Sequence, residues 1–510
     1  MSAQTSEPAP SLNALLDDAA GTWGGRPFLI HGDRRLTFRQ VREDAARVAR
    51  LLADQRVEAG DRVLVGRSNP VTAIIEMFGA LRAGAVCTIA DPAAPRRAAE
   101  NVLADLSPFV ILADEQSSYA TSLYAAEPAR ESRSPADAAL IIYTSGSTGR
   151  PKGIVASHRN VSFTAAAIQQ RLVLRPDDRV ACLLPLTFDY GLYQVFLALV
   201  SGCCVIFGSP GELGAALLLF LVRERITVLP SVPTLSRMVL ALAQRPGAAL
   251  PPVRMVTNTG EAMSQALLRD IQAALPEAEV FPMFGLTECK RVSILLPSEI
   301  DDRPGSVGRP LTGTRCEIVD DGGDPLGPNE VGQLTVSGPH VTLGYWKDDD
   351  LTDRIFRPAV NGKRTLFTGD KAWMDEQGYL YFVGRDDDIF KRKGYRVSAA
   401  EIAFAAEQID GVRAAVCLPP GTNPRRDLVL VVTGTAPADR IRAGLADSLY
   451  PHQLPDRLEI VDKIPLTRHG KTDVHALAAL LGPEQTGHLR EREGLPFADR
   501  GHAEVERETR

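Results

Sequence analysis

The sequence predicts an α/β protein: a large N-terminal domain of doubly wound mixed sheets with a small β region, then a small mobile α+β domain. Three observations predict it. Up to about residue 257, apolar runs of four or five residues alternate with stretches of helical period, the pattern of repeated strand–helix–strand units. From Pro304 short alternating segments rich in glycine take over, the texture of antiparallel strands. Past Gly384 the run Arg385-Asp-Asp-Asp388 is too charged for a core, and beyond it the alternation resumes on a smaller scale. At 510 residues the chain also exceeds what one hydrophobic core organises. The expected division is 1–384 for the large domain, 385–388 for a hinge at Asp387, 389–482 for the small domain, and a disordered Glu- and Arg-rich tail over 483–510.

In chain order, Leu12 to Trp23 reads as an amphipathic helix and Pro27 to Ile30 as a strand leading into the turn His31-Gly-Asp33. Thr37 stands ahead of Gln40-Val-Arg-Glu43 as a helix start, with the helix running to about Arg56. Strands are expected at Arg62–Val65, Val86–Ala90, Pro108–Leu112 and Ala138–Ile142, with a helix over Pro70–Ala83. Further on, helix and strand alternate through Asn160–Gln170, Val180–Leu184, Val205–Phe207, Ala215–Arg225, Thr227–Leu229 and Val253–Thr257. The β region holds Arg315–Val319, Gly332–Ser337 and Tyr379–Val383. The small domain holds helices over Ala399–Gln408 and Pro437–Ser448 and strands at Val412–Leu418, Leu428–Thr433 and Arg457–Val461.

Composition narrows the function. A formal net charge of -6 argues against a nucleic-acid partner, which calls for a basic excess. The seven cysteines show no CxxC spacing, so reduced thiols in a cytoplasmic protein are expected rather than disulfides or a zinc site. Met1 to Ser11 has no basic region followed by an apolar core, and the most apolar stretch, Val195 to Gly208, is too short to span a bilayer. Neither a signal peptide nor membrane insertion is expected.

One stretch speaks of chemistry: Tyr143-Thr-Ser-Gly-Ser-Thr-Gly-Arg-Pro-Lys-Gly153. Four hydroxyls (Thr144, Ser145, Ser147, Thr148) supply donors, Gly146 and Gly149 let backbone N–H groups approach an anion, and Lys152 adds a point charge. That inventory suits a polyphosphate. It is not a Walker A loop, because Pro151 stands where a glycine should precede the lysine.

This stretch resembles the phosphate-binding signature of the AMP-forming adenylating superfamily, which includes acyl-CoA synthetases, peptide-synthetase adenylation domains and luciferases. Five later stretches resemble that family's motifs in order. The resemblance implies that Gly260 and Glu261 of Asn258-Thr-Gly-Glu-Ala262 line the adenine. In Met283-Phe-Gly-Leu-Thr-Glu288, it implies that Phe284 stacks on adenine, Thr287 bonds the phosphate and Glu288 holds Mg²⁺. Asp370 of Leu366-Phe-Thr-Gly-Asp370 would bond the ribose hydroxyls, Arg385 the ribose and phosphate. Lys471, in Ile464-Pro-Leu-Thr-Arg-His-Gly-Lys-Thr472, would bridge the acid and the α-phosphate. Read alone, Thr287-Glu288 is equally a helix start, Asp370 a turn residue and Lys471 a loop lysine.

Alignment with the family also places Asp189, Tyr190, Tyr193, Ser231, Thr259, Met283 and Arg291 around the acid. Asp189 stands where amino-acid-adenylating domains carry the aspartate that meets the substrate amine; it also suits the cap of the following helix. Cys289-Lys290-Arg291 departs from pockets for apolar acids, which would not place an unpaired cation there; the alternative is that one or both charges point to solvent, the usual fate of Lys and Arg. An inward Arg291 would call for a small anion or a polar acid. The expected activity is adenylation of a small or polar, amino-bearing or aryl carboxylic acid by ATP with Mg²⁺, pyrophosphate leaving and the acyl group passing to CoA, a separate carrier protein or an amine. Two alternatives stand beside it: an ATP-dependent diazotase that adenylates nitrite against an aryl amine, and a catalytically silent nucleotide binder. No segment after Lys471 resembles a phosphopantetheine attachment site, so a stand-alone enzyme is expected.

The attacking acid is already ionised at neutral pH, so catalysis rests on positioning and charge rather than on a general base. Lys471→Ala is expected to abolish pyrophosphate release while weakening ATP binding far less; unimpaired pyrophosphate release would remove Lys471 from the reaction.

Overall fold

The computed structural model describes residues 9–94, 96–120, 137–145, 151–209, 212, 214–260, 263–358, 362, 364–385, 389–392, 395–420, 427–449, 453–467 and 472–481. Gly146, Ser147, Thr148, Gly149, Glu261, Asp387, Lys471 and the tail from 483 lie outside them, as do the side chains of Ser145 and Arg385. The chain divides into two units, Met1–Phe382 and Val383–Arg510. The division falls inside the strand Leu380–Arg385 rather than after Gly384. Within the second unit, the Ser398 hydroxyl donates to the Val383 carbonyl at 3.0 Å.

Two mixed sheets organise the first unit. In one, six strands run parallel in the order Glu279–Phe284, Met255–Asn258, Val228–Ser231, Arg179–Cys182, Cys204–Phe207 and Pro27–His31, with antiparallel strands added at both edges. The other places Val110–Ala113, Arg62–Gly66, Val86–Ile89 and Ala138–Ser145 in parallel, and adds Pro151–Ser157 and Gly344–Tyr345 antiparallel. An antiparallel sheet of five strands follows, built on Arg315–Val319, Gly332–Ser337 and Arg364–Met374. The second unit pairs Val412–Leu418, Val429–Gly434 and Arg457–Ile460 beneath the helices Ala399–Glu407 and Ala438–Ser448.

Local chemistry sets most boundaries. Thr37 caps the helix Phe38–Asp54, and Gln40 returns a bond to the Thr37 N–H, so two otherwise orphaned donors are satisfied. The apolar run around Val195 folds as the helix Asp189–Ser201, a left-handed turn at Gly202 (φ 76°), and the strand Cys204–Phe207. A Cβ on Gly202 would lie 2.6 Å from the Trp23 ring, so glycine is required there twice over. All seven cysteines are buried and unbridged.

The second hairpin strand hands over to the helix His158–Leu172 through a capping box of Ser157 and Asn160. The Asn160 amide also donates to Pro339 O at 2.6 Å and Val341 O at 2.9 Å, clamping the segment that leads into Gly344–Tyr345. Between those carbonyls sits His340, 1 % exposed, stacked near Phe163, with no hydrogen-bond partner for either ring nitrogen among the described residues. Burial pushes its pKa down to about 4. The unfolded imidazole takes its proton near pH 6.5, so this site costs no stability above that pH. Stability is lost as pH falls from 6.5 through 4, by at most about 3 kcal/mol. His340→Leu is expected to flatten the fall of melting temperature between pH 6.5 and 4.5; an unchanged acid slope would mean that other groups set it.

Candidate active site

Two hairpins carry the site. In the first, Ala138–Ser145 pairs with Pro151–Ser157 so that Thr144 faces Lys152 and Ser145 faces Pro151. The Pro-Lys-Gly that reads as the close of a loop is therefore the start of a strand. The phosphate stretch joins two antiparallel strands, unlike a Walker loop, which leads into a helix N-terminus. Gly153 leaves room for its neighbours: a Cβ there would lie 2.9 Å from Ile141 and 3.2 Å from Trp346. Tyr143 at the motif's start donates to Asp105 at 2.6 Å, and Lys152 is half-buried.

The second hairpin pairs Met283–Phe284 with Ser293–Ile294, and its loop holds Thr287, Glu288, Lys290 and Arg291. Thr287 and Glu288 lie in a turn, not at a helix start. Cys289 N–H bonds Leu286 O at 3.1 Å, Val292 N–H bonds Phe284 O at 2.9 Å, and Lys290 adopts a left-handed φ of 62°. Gly285 has no space for a side chain, because a Cβ would overlap the Lys290 carbonyl oxygen. The Glu288 carboxylate accepts a bond from the Tyr345 hydroxyl at 2.8 Å, and the Glu288 carbonyl accepts from Thr342 N–H at 2.9 Å. The Phe284 ring lies 5.7 Å from that of Phe382.

Asp370 lies within the strand Arg364–Met374, not in a free turn. Between Phe367, opposite Thr335, and Lys371, opposite Gln333, this strand carries extra residues, with Gly369 at φ 73°. Such a bulge re-aims side chains. Asp370 is 2 % exposed, and its N–H bonds the Thr368 hydroxyl at 3.0 Å. Gly260 follows the strand Met255–Asn258 at φ 89°.

The acid-pocket residues gather around the helix Asp189–Ser201. Tyr190, Tyr193, Met283 and Arg291 line one narrow cavity, closed by Ile168, Leu172 and Leu197. Asp189 is the helix's first residue, where the helix dipole favours a carboxylate, but Phe188 occupies the cap position. Asp189, Ser231 and Thr259 lie outside the lining of this cavity; the Ser231 hydroxyl pairs with that of Ser236 at 2.7 Å.

Neither Lys290 nor Arg291 points to solvent; they are 5 % and 6 % exposed. Lys290 Nζ stands 3.9 Å from Asp189 Oδ2, has no hydrogen bond among the described residues, and lies over the Tyr193 ring at 6.0 Å. Arg291 donates to the Thr259 hydroxyl and lies 5.3 Å over the Tyr190 ring. Burial lowers the pKa of both cations, with Asp189 opposing the shift. Burial also pushes the Tyr190 phenol up to about 12, so it stays a neutral donor, bonded to Thr257 O at 3.0 Å. Lys290 is the site residue that the motifs missed; its signal was a cation in a loop flanked by the apolar run Val292–Leu296.

The sequence profile of the AMP-binding enzyme family matches residues 16–346, and the chain belongs to that family. The isonitrile lipopeptide synthase of Streptomyces coeruleorubidus is 33% identical over 517 residues, covering 93% of this chain; the chain spans 34% of that relative's length. The crystal structure of VinN is 32% identical with a TM-score of 0.67, covering 74% of this chain and 100% of VinN; VinN has also been solved with L-aspartate. The anthranilate CoA ligase AuaEII, solved with anthranoyl-AMP, shares the fold at a TM-score of 0.82 and 23% identity, covering 94% of this chain and 99% of its own. Among the described residues no helix is long and apolar enough to cross a membrane, and no group of three or more His, Cys, Asp or Glu gathers as a metal centre.

Gly285→Ala is expected to displace Glu288 and Lys290 together and to lower acid-dependent pyrophosphate exchange about a hundredfold, the typical effect of a 1 Å misplacement. Wild-type exchange in that variant would contradict the loop geometry.

Proposed function

We propose that the protein adenylates an amino dicarboxylic acid, with the substrate ammonium at Asp189 and its second carboxylate at Lys290 and Arg291. The observation that carries this reading is the buried charge set. Lys290 and Arg291 are buried beside the Asp189 carboxylate; with the other carboxylate that acts on Lys290, Glu288, given to the metal, one positive charge is left in excess inside the protein. An unbalanced buried charge costs several kcal/mol, and a substrate with one ammonium and two carboxylates brings the net −1 that removes it. The relative VinN, which has been solved with L-aspartate, supports an acid of this class.

In this reading Phe284, Gly260 and Glu261 hold the adenine, Asp370 and Arg385 the ribose, and the 144–149 loop with Lys152 the β- and γ-phosphates. A carboxylate oxygen of the substrate attacks the α-phosphorus, the bond to the bridging oxygen breaks, and pyrophosphate leaves with that electron pair; no proton moves. Lys471 and Thr287 offset charge at the α-phosphate. Glu288 would hold Mg²⁺, which neutralises phosphate charge when bound. A single half-buried carboxylate fits that ion, because magnesium takes most of its ligands from water and phosphates. The acceptor of the second step is CoA, a carrier protein or an amine.

The test is ATP–pyrophosphate exchange over a panel of acids. Aspartate-like amino dicarboxylates are expected to exceed asparagine, alanine and benzoate at least tenfold. Arg291→Met and Lys290→Met are expected to lose about a hundredfold in kcat/KM for the dicarboxylate, as for a severed buried charge pair, while changing neutral acids little. Equal exchange with alanine and aspartate would overturn the assignment. Diazo absorbance with nitrite and an aminoaryl acid, in the absence of acid-dependent exchange, would establish the diazotase instead.

A further inference from the structure

We infer that Tyr345 is a positioning residue for the metal carboxylate, holding Glu288 in place and tying it to the strand that carries Lys152. The inference rests on the reading of Glu288 as the magnesium ligand. Its phenol donates to Glu288 Oε1 at 2.8 Å. The Glu288 carbonyl is bonded in turn by Thr342 N–H, so both ends of this residue are fastened to the same short segment.

That segment is itself held from two sides. Gly344 and Tyr345 pair antiparallel with Val155 and Ile154, on the strand that begins Pro151-Lys152. On the other side Tyr345 N–H bonds the Thr352 hydroxyl at 2.9 Å, and the Tyr345 ring packs at 64° against Phe356, 5.8 Å away. Gly344, at φ 131°, lies so close to Thr352 that a Cβ would overlap its methyl group.

Two consequences follow for a cation. A carboxylate with one oxygen engaged by a phenol offers the other to the metal, which favours one-oxygen coordination. A glutamate whose rotamer is fixed before binding also loses less freedom when the ion arrives. Outer partners of metal ligands commonly govern affinity by about 10–100-fold.

The experiment measures ATP binding by calorimetry on the full chain, across a magnesium titration and in EDTA. It compares wild type, Tyr345→Phe, Glu288→Gln and the double variant, with melting curves for each. Tyr345→Phe keeps the packed ring. It is expected to raise the half-saturating Mg²⁺ about tenfold, leave binding in EDTA unchanged, and add nothing in the Glu288→Gln background. Equal weakening with and without Mg²⁺, or a full further loss in the double variant, would overturn the inference in favour of a packing role. If Glu288→Gln removes the Mg²⁺ dependence and Tyr345→Phe does not shift it, the metal site stands and the tyrosine's role falls. If Glu288→Gln itself keeps wild-type Mg²⁺ dependence, the metal assignment fails and takes this inference with it.

Discussion

The antiparallel pairing of Gly344–Tyr345 with Pro151–Ser157 is the constraint on which the rest of the site depends. It is short, yet it brings the phosphate hairpin and the Glu288 loop into one hydrogen-bonded frame. Side chains alternate along a strand, so a slip of Gly344–Tyr345 by one residue would turn Tyr345 away from Glu288. The clamp from Asn160 to the carbonyls of Pro339 and Val341 guards against that slip, and the same asparagine caps the helix leaving the hairpin. One side chain thus serves both the local helix and the long-range register.

The charged cluster beside the helix Asp189–Ser201 is built on the opposite logic, because it accepts an energetic penalty where the proposed acid would bind. A lysine with no hydrogen bond among the described residues and a carboxylate only at the outer edge of ion-pair distance is poorly compensated. The surroundings are apolar or aromatic, which raises the cost and sharpens the demand for an anion. Arg291 is better held, through Thr259 and the Tyr190 ring, and Tyr190 is anchored to Thr257. The rigid cation and the poorly bonded one sit on adjacent residues.

Much of this fold was legible wherever a local rule decided the outcome. The strands Arg315–Val319 and Gly332–Ser337 follow their alternating pattern, and the helix Leu12–Trp23 follows its period. The strand Pro151–Ser157 was not legible, because Pro-Lys-Gly carries turn chemistry and only pairing with distant partners makes it extended. Asp370 was legible as a motif but not as a bulge, which depends on the register of its neighbour. Tyr190, Tyr193, Met283 and Arg291, expected together from alignment, do line one cavity, but the burial of Lys290 beside Asp189 is settled by the packing of the helix Asp189–Ser201 and not by its own neighbours in sequence.

Gly285 gives the loop an asymmetry between what can change and what cannot. Its backbone lies against the Lys290 carbonyl, so the path of the chain from Phe284 to Val292 admits no side chain at that point. Residues 290 and 291 do carry side chains, although Lys290 takes a left-handed φ of 62°, and their charged ends reach Asp189 and Thr259. A new acid specificity is therefore reachable by exchanging side chains on a track whose course, and with it the place of Glu288, stays the same. Within eight residues the protein separates a fixed instrument from an interchangeable one.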